Sequence, residues 1–337
     1  MKKIFDYFLS VFIVAALSLA MASPLLAAEK VVVYSPFKDE LMGRLGKAFK
    51  EETGISLENV IISTGEIYSR LKVERANPQA DIWLSVRALY LKNASEEKEG
   101  SLIEAYKSPN VKDILPSYFY GGPYHITGVG MYPLVFFYNP EALAKIKAEA
   151  PKNYQDLLDP RWERKLVMPH PATSGTGFTT LTTVLQLYGE EKGWDYIKRL
   201  SKNVDQFTKS GRAPHMMVAR GEYPVGIGFW DDVYKLAKEG YPIKPIFPDP
   251  IYAEPYCMAI VKNAPHMEAA KKFFDFMLTR KAQEILVEFG DYSVRPDVAS
   301  PLGSPNLKQL NIAKDDYVWA AKNKKAILEK FRELTGK

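Results

Sequence analysis

The residues best placed to do chemistry in this 337-residue chain lie in one run, Met168-Pro-His-Pro-Ala-Thr-Ser-Gly-Thr-Gly-Phe-Thr-Thr-Leu181. Thr173, Ser174, Thr176, Thr179 and Thr180 supply hydroxyls, while Gly175 and Gly177 let a ligand come close to the backbone. The apolar residues Leu166, Val167 and Met168 that precede the run read as a strand, and the periodic Leu181, Val184, Leu185 and Leu187 that follow it read as a helix. A helix start presents unpaired N–H groups and a partial positive charge, so a Gly/Ser/Thr turn at that place suits a phosphate or a carboxylate. The same residue types also cap ordinary helices. Local sequence leaves both uses open.

Other chemistries find less support. The Ser174 neighbourhood, Ala172-Thr173-Ser174-Gly175-Thr176, lacks the first glycine of a G-x-S-x-G nucleophile elbow. Proximity of His170 in sequence does not make a triad. The phosphate-binding pattern G-x-x-x-x-G-K-[ST] is missing, and His125, His170, His215 and His266 are scattered without metal-ligand spacing. No cofactor or metal is called for, and an exported hydrolase is the weaker second class.

The scaffold around the run alternates strands and helices. Val31–Tyr34 reads as a strand whose turn, Ser35 to Glu40, leads into a helix over about 39–53 that stops at Gly54. Val60–Ile62 is a second strand, followed by Ser63-Thr64-Gly65-Glu66 and a helix carrying Ile67, Leu71 and Val73; Asp81–Leu84 is a third. This rhythm predicts a parallel sheet, in which ligands bind at the carboxyl ends of strands, where the turns at Ser35 and Thr64 fall. A β stretch over 126–138, helices at 140–149, 153–158 and 180–200, and strands at 223–229 and 254–261 follow. Helices at 265–279, 280–289 and 313–334 close the chain. Two α/β lobes joined by strands crossing near 125–132 and 252–261 account for this order.

The N-terminus indicates export. Met1-Lys2-Lys3, the apolar Phe8–Met21 and the small residues up to Ala28 predict a signal peptide cleaved after Ala27 or Ala28. The apolar run is short of the ~20 residues that a membrane span needs. The one cysteine, Cys257, is far from that site, which excludes lipid attachment there and a disulfide within the chain. With 47% hydrophobic and 25% charged residues, the chain has an ordinary globular composition. The net charge of +5 is spread among interspersed lysines and carboxylates, which reads as solvated helix faces and not as a nucleic-acid surface.

An exported, two-lobed α/β chain with ligand turns on both lobes resembles the solute-binding proteins of ABC importers, in the branch of the ferric-ion-binding proteins and their organophosphate-binding relatives. The likeness is carried by VVVYSPF, STGEIYSRLKVERANPQADIW, MPHPATSGTGFTTL, TKSGRAPHMMVARGEYPVGIGFWDD and MAIVKNAPHMEAAKKFFDFMLTRKAQEIL, in that order. It implies a type II periplasmic binding fold that closes on its ligand by hinge motion. It further implies a monomer that hands a small anionic solute to an inner-membrane permease, with no nucleic-acid partner. On it we divide the chain into a signal peptide (1–28), lobe 1 (29–126 plus 256–300), lobe 2 (127–255) and a C-terminal helical segment (301–337).

The resemblance also narrows the ligand. The iron binders carry adjacent tyrosines after the strand matching Val225–Phe229, where this chain has Trp230-Asp231-Asp232. Ferric ion would then need Asp231, Asp232 and Glu254 as hard oxygen ligands. The sugar-phosphate binders are similar in their SGT turn (Ser174-Gly175-Thr176), a polar pair (Asp231-Asp232; histidine then aspartate in the relatives) and a glutamate before the next strand (Glu254). The implied pocket holds an anion at Ser174, Gly175 and Thr176 with help from Ser35, Thr64, Gly65 and Ser210. The organic end meets Asp231, Asp232 and Glu254, with Trp83 or Trp230 as a stacking surface and Arg87 or Arg212 as a countercharge. A hexose phosphate and an aminoalkylphosphonate both fit this pocket.

Overall fold

In a computed structural model of the chain, residues 29–37, 39–85, 88–115, 119–120 and 126–337 are described. The expected signal peptide, His125 and Arg87 lie outside them, as does the side chain of Thr64. No helix among the described residues is long and apolar enough to cross a membrane.

Strand β1 (Lys30–Ser35) pairs in parallel with β2 (Ser56–Ile61) and with β3 (Ile82–Ser85). Its residues are apolar in succession because both faces of the sheet are covered. Val31 and Val33 join one core cluster, while Val32 and Tyr34 join another. Two short strands, β4 (Ile103–Glu104) and β5 (Phe119–Tyr120), attach to this half. The 13-residue β6 (Ile126–Tyr138) then runs onward, with Val135 and Phe137 on one face and Leu134 and Phe136 on the other.

The remaining strands are β7 (Leu166–Pro169), β8 (Val204–Thr208), β9 (Val225–Phe229), β10 (Lys244–Ile246) and β11 (Ala253–Val261). The sheet order is β2-β1-β3-β11-β6-β9-β7-β8, with β4, β5 and β10 attached off this path. Two strands link its halves. β6 pairs with β11 from Thr127 to Pro133 and with β9 from Leu134 to Tyr138, and β11 also pairs with β3 from Cys257 to Ile260. The expected crossings are these strands, and their register shifts at Tyr256/Cys257, a local irregularity that bends the ribbon.

Some elements depart from the sequence-based outline. The helix expected at 180–200 begins at Gly175 and runs to Asn203, with a break at Gly189, whose φ of 75° leaves the helical region. The helix expected to 149 stops at Lys145, and Lys147 follows with φ 52°. The segment 153–158 is a short 3-10 turn over Gln155–Leu158. The single C-terminal helix is two, Tyr317–Lys322 and Lys324–Thr335, parted at Asn323. Ala320, Ile327 and Phe331 bury against the core that also holds Leu181, Trp194 and Val225, so this segment packs on the second half of the sheet.

Candidate functional site

Parallel pairing decides which turns meet. β8 and β9 both lie beside β7 in parallel, so the carboxyl ends of all three open on one edge. Pro169 stands opposite Thr208, and the His170 N–H donates to the Thr208 carbonyl at 2.8 Å, which sets the loop 170–176 against the loop 208–212. Ser174 caps the long helix; its hydroxyl accepts from the Gly177 N–H at 3.4 Å. Gly177 is required by close approach, because a Cβ there would sit 2.4 Å from the Pro169 carbonyl oxygen. A Cβ on Gly211 would sit 2.6 Å from Thr176 Oγ1 and 3.1 Å from Ser174 Oγ, so the second loop lies directly over the two hydroxyls.

Together these loops line an open cavity of about 390 Å³, with Ser174, Gly175, Thr176, Ser210, Gly211 and Glu254 among its walls. Lys209 adds a cation. The first turn of the long helix contains no acidic residue, so its positive end is not neutralised from within. The Ser210 hydroxyl accepts from the Arg212 N–H at 3.2 Å, shaping the loop.

A second cavity of about 320 Å³ adjoins the first through Thr176, Gly211 and Phe229. Asp231 and Asp232, at the start of the helix Trp230–Lys238, reach it from one side, and Phe37, Phe289 and Asp291 from the other. Asp232 pairs with Arg212 at 3.3 Å. Burial, then the neighbouring Asp232 charge, pushes the Asp231 carboxyl up to about 7, against the pull of Arg212. Asp291 is also pushed up, first by burial and then by Asp231, although it accepts the Tyr256 hydroxyl at 2.8 Å. Tyr132, on β6, stacks on Tyr256 at 4.9 Å and forms the floor.

His215 lies beneath this cavity, fully buried, with its ring 4.3 Å from Phe137. Its Nε2 lies 3.0 Å from the Phe229 carbonyl, which only accepts, so Nε2 carries the proton. Burial holds the imidazole below its usual range, and it serves as a neutral brace for the end of β9.

A third cavity, of about 290 Å³, lies on the far side of Glu254. Glu254 is 4% exposed, accepts the Thr179 hydroxyl at 3.2 Å and lines both this space and the cavity over Ser174.

Of the residues expected from sequence, Ser174, Gly175, Thr176, Ser210 and Glu254 come together in one cavity, and Asp231 and Asp232 in the next. Ser35 is fully buried; its hydroxyl donates to Asn59 at 2.7 Å, and Pro36 and Phe37 face the cavity in its place. Thr64 and Gly65 begin a helix whose cap is Ser63, not Thr64. Neither tryptophan offers a stacking face: Trp83 is core beside Tyr68, and Trp230 is core against Tyr234 and Phe247. The aromatic walls are instead Phe37, Tyr132, Phe229 and Phe289. The three carboxylates weighed for ferric ion, Asp231, Asp232 and Glu254, do not gather; among the described residues no three His, Cys, Asp or Glu side chains form a metal-holding group.

Comparison with known proteins agrees with this architecture. The family model for bacterial extracellular solute-binding proteins matches residues 77–319. An uncharacterized protein of Haemophilus influenzae is 31% identical over 329 residues, covering 94% of this chain and 93% of that one. A putative 2-aminoethylphosphonate-binding periplasmic protein of Salmonella typhimurium is 28% identical over 260 residues, covering 74% and 73%. The periplasmic binding protein AfuA from Actinobacillus pleuropneumoniae, solved with fructose-6-phosphate bound, superposes with a TM-score of 0.78 at 28% identity, covering 92% of this chain and 99% of that one. The chain therefore belongs to the bacterial extracellular solute-binding proteins and has their type II periplasmic binding fold, two α/β lobes joined by crossing strands.

Proposed function

We propose that this protein captures a phosphorylated organic solute, a hexose phosphate or a phosphonate, between its lobes (29–126 plus 256–300, and 127–255) and delivers it to an ABC permease. The observation that carries the reading is the helix start at Ser174–Thr176, free of acidic residues, under Gly211 and open to a cavity of about 390 Å³. There the anion accepts hydrogen bonds from the Ser174 and Thr176 hydroxyls and from the first turn of the helix, and the loop at Ser210 closes over it. Asp231, Asp232 and Glu254 select the organic end by accepting from hydroxyl or ammonium groups. Thr64 and Gly65 approach from the other lobe on closure, which is driven by tighter binding to the closed form. The protein works as a monomer in the periplasm after removal of residues 1–28, and it performs no covalent step. The names of two relatives, a putative 2-aminoethylphosphonate-binding periplasmic protein and a periplasmic binding protein solved with fructose-6-phosphate, support the phosphate class over ferric ion.

The test is calorimetry with hexose phosphates, phosphonates, inorganic phosphate and ferric citrate. The variant carrying Ser174→Ala and Thr176→Val together should lose phosphate-ester binding while keeping a cooperative thermal melt. Retained affinity in that variant, or sustained phosphate release from an ester by the pure protein, overturns the reading. Loss of Asp232 or Glu254 should change which ester is preferred.

A further inference from the structure

We propose that the part of the organic end that passes Glu254 occupies the cavity beyond it and that the C-terminal segment, which walls this cavity, sets the size of solute accepted. This rests on the anion reading of Ser174–Thr176. Three observations carry it.

Glu254 stands in the wall of both spaces and, with the Thr179 hydroxyl that it accepts, parts them, so a ligand seated over Ser174 enters the far cavity by taking the place of that one contact. Thr176, Thr179 and Thr182 are spaced three apart and fall along one side of the long helix. Thr176 lines the anion cavity and the other two line the far one, so the row of threonines advances about 9 Å from one space into the other. A ligand lying along this side has its anion at the helix start and its carbon skeleton beside Thr179 and Thr182.

The C-terminal segment is fastened where it forms the wall. The Tyr252 hydroxyl donates to Asp315 at 3.2 Å, and the Asp316 N–H donates to Gln186 at 2.7 Å. Lys324 lies 5.4 Å over the Phe178 ring, and Phe331 packs on His170 and Phe207. Tyr317, which also packs on the first-lobe core, spans toward Tyr90 and Asn93. A wall so pinned does not yield to a larger solute.

The chemistry of the lining suits a polyol. Carboxylates at Glu254 and Asp315 and the amide of Asn93 accept from hydroxyls, while aromatic rings and Ala88, Ala320 and Ala321 meet carbon-bound hydrogens. The class is therefore a hydroxyl-rich phosphate monoester.

Two filling variants from opposite walls test this: Ala321→Phe on the C-terminal segment and Thr182→Phe on the long helix. Each should weaken fructose 6-phosphate binding at least tenfold by calorimetry while inorganic phosphate, seated only at the helix start, changes less than twofold; the phosphate result also shows that the variant is folded. Hexose phosphate affinity unchanged in both variants overturns the proposal. So does 2-aminoethylphosphonate binding more tightly than any sugar phosphate and ignoring both substitutions. If the wild-type protein binds no phosphate compound at all, the anion reading itself has failed, a result distinct from the loss of the far cavity alone.

Discussion

Two helices of this molecule start in the same way and end up differently disposed toward a ligand. The helix Thr64–Val73 follows β2 and the helix Gly175–Asn203 follows β7, each at the carboxyl end of a parallel strand with a serine as cap. The first closes on itself: Ser63 accepts from the Glu66 N–H, and the Glu66 carboxylate accepts from the Ser63 N–H at 3.0 Å. The second has no acid in its first turn and lies under a glycine of the neighbouring loop. One helix end supplies its own anion; the other leaves that charge to be supplied from outside.

The sharpest way to break this contrast is to give the second helix the anion that the first already has. Thr176→Glu places a carboxylate in its first turn, where it stabilises the helix but repels a phosphate. Affinity for a phosphate ester should fall by a factor on the order of 100 or more, since each charge-assisted hydrogen bond is worth about 1.5–3 kcal/mol and repulsion adds to its loss. Calorimetry reads the affinity, and a melting temperature at or above wild type shows that the fold is intact. Wild-type affinity in this variant means the anion sits elsewhere.

A milder change acts through geometry alone. Gly211→Ala places a methyl 2.6 Å from Thr176 Oγ1, which must rotate away. The expected loss is roughly tenfold, the low end of what one charge-assisted hydrogen bond is worth. Equal affinity would show that the Thr176 hydroxyl does not touch the ligand.

A third measurement needs no ligand. Asp231 is raised to about 7 and Asp291 is raised as well, so the folded protein holds protons that the unfolded chain gives up near pH 4. The folded state binds more protons across that window, so stability is fully present below it and is lost as pH rises through 7. Buried His215, held below its usual range, acts in the opposite sense over the same pH range, so the carboxylates are read by difference: between pH 5 and pH 8 the melting temperature of wild type should fall by a few degrees relative to that of Asp231→Asn. A flat difference would mean that Asp231 is better solvated than its burial implies.

How much of this was legible in the sequence depends on how local the information is. The apolar runs 126–138 and 254–261 announced the two linking strands, and Ser174 in a Gly/Thr-rich turn announced a capped helix start. The apolar period points to a start at 180, five residues after the actual one, because Gly175 and Gly177 are poor helix formers and only the close approach to the Pro169 carbonyl explains Gly177. Partners distant in sequence were not readable. Gly211 meets Thr176 only because β7 lies beside β8, and Asp291 meets Asp231 only because Tyr292 bridges to Met131 on β6, the strand that also pairs with β9 just ahead of Asp231. Trp83 and Trp230 are open to either use in sequence, core or stacking surface, because residue type does not say which face of a sheet or helix is covered.

The smallest effect belongs to the first helix, and it bears on whether its closure matters. Glu66→Gln keeps the length of the side chain but removes the charge that Ser63 holds, through hydrogen bonds that draw the Glu66 carboxyl below its usual range. Glu66 is exposed, so solvent already screens that charge and the melting temperature should fall only slightly. If the turn contributes the approach of Thr64 and Gly65 but no charge of its own, phosphate-ester affinity stays within about twofold of wild type, because the effect of a charge at a helix end fades within its first turn. A rise well beyond that would mean that the first helix, once relieved of its own carboxylate, also takes hold of the anion when the lobes close. A comparable loss would mean that Glu66 itself accepts from the solute. Either result would bring the Thr64–Gly65 turn into the site on different terms from Ser174.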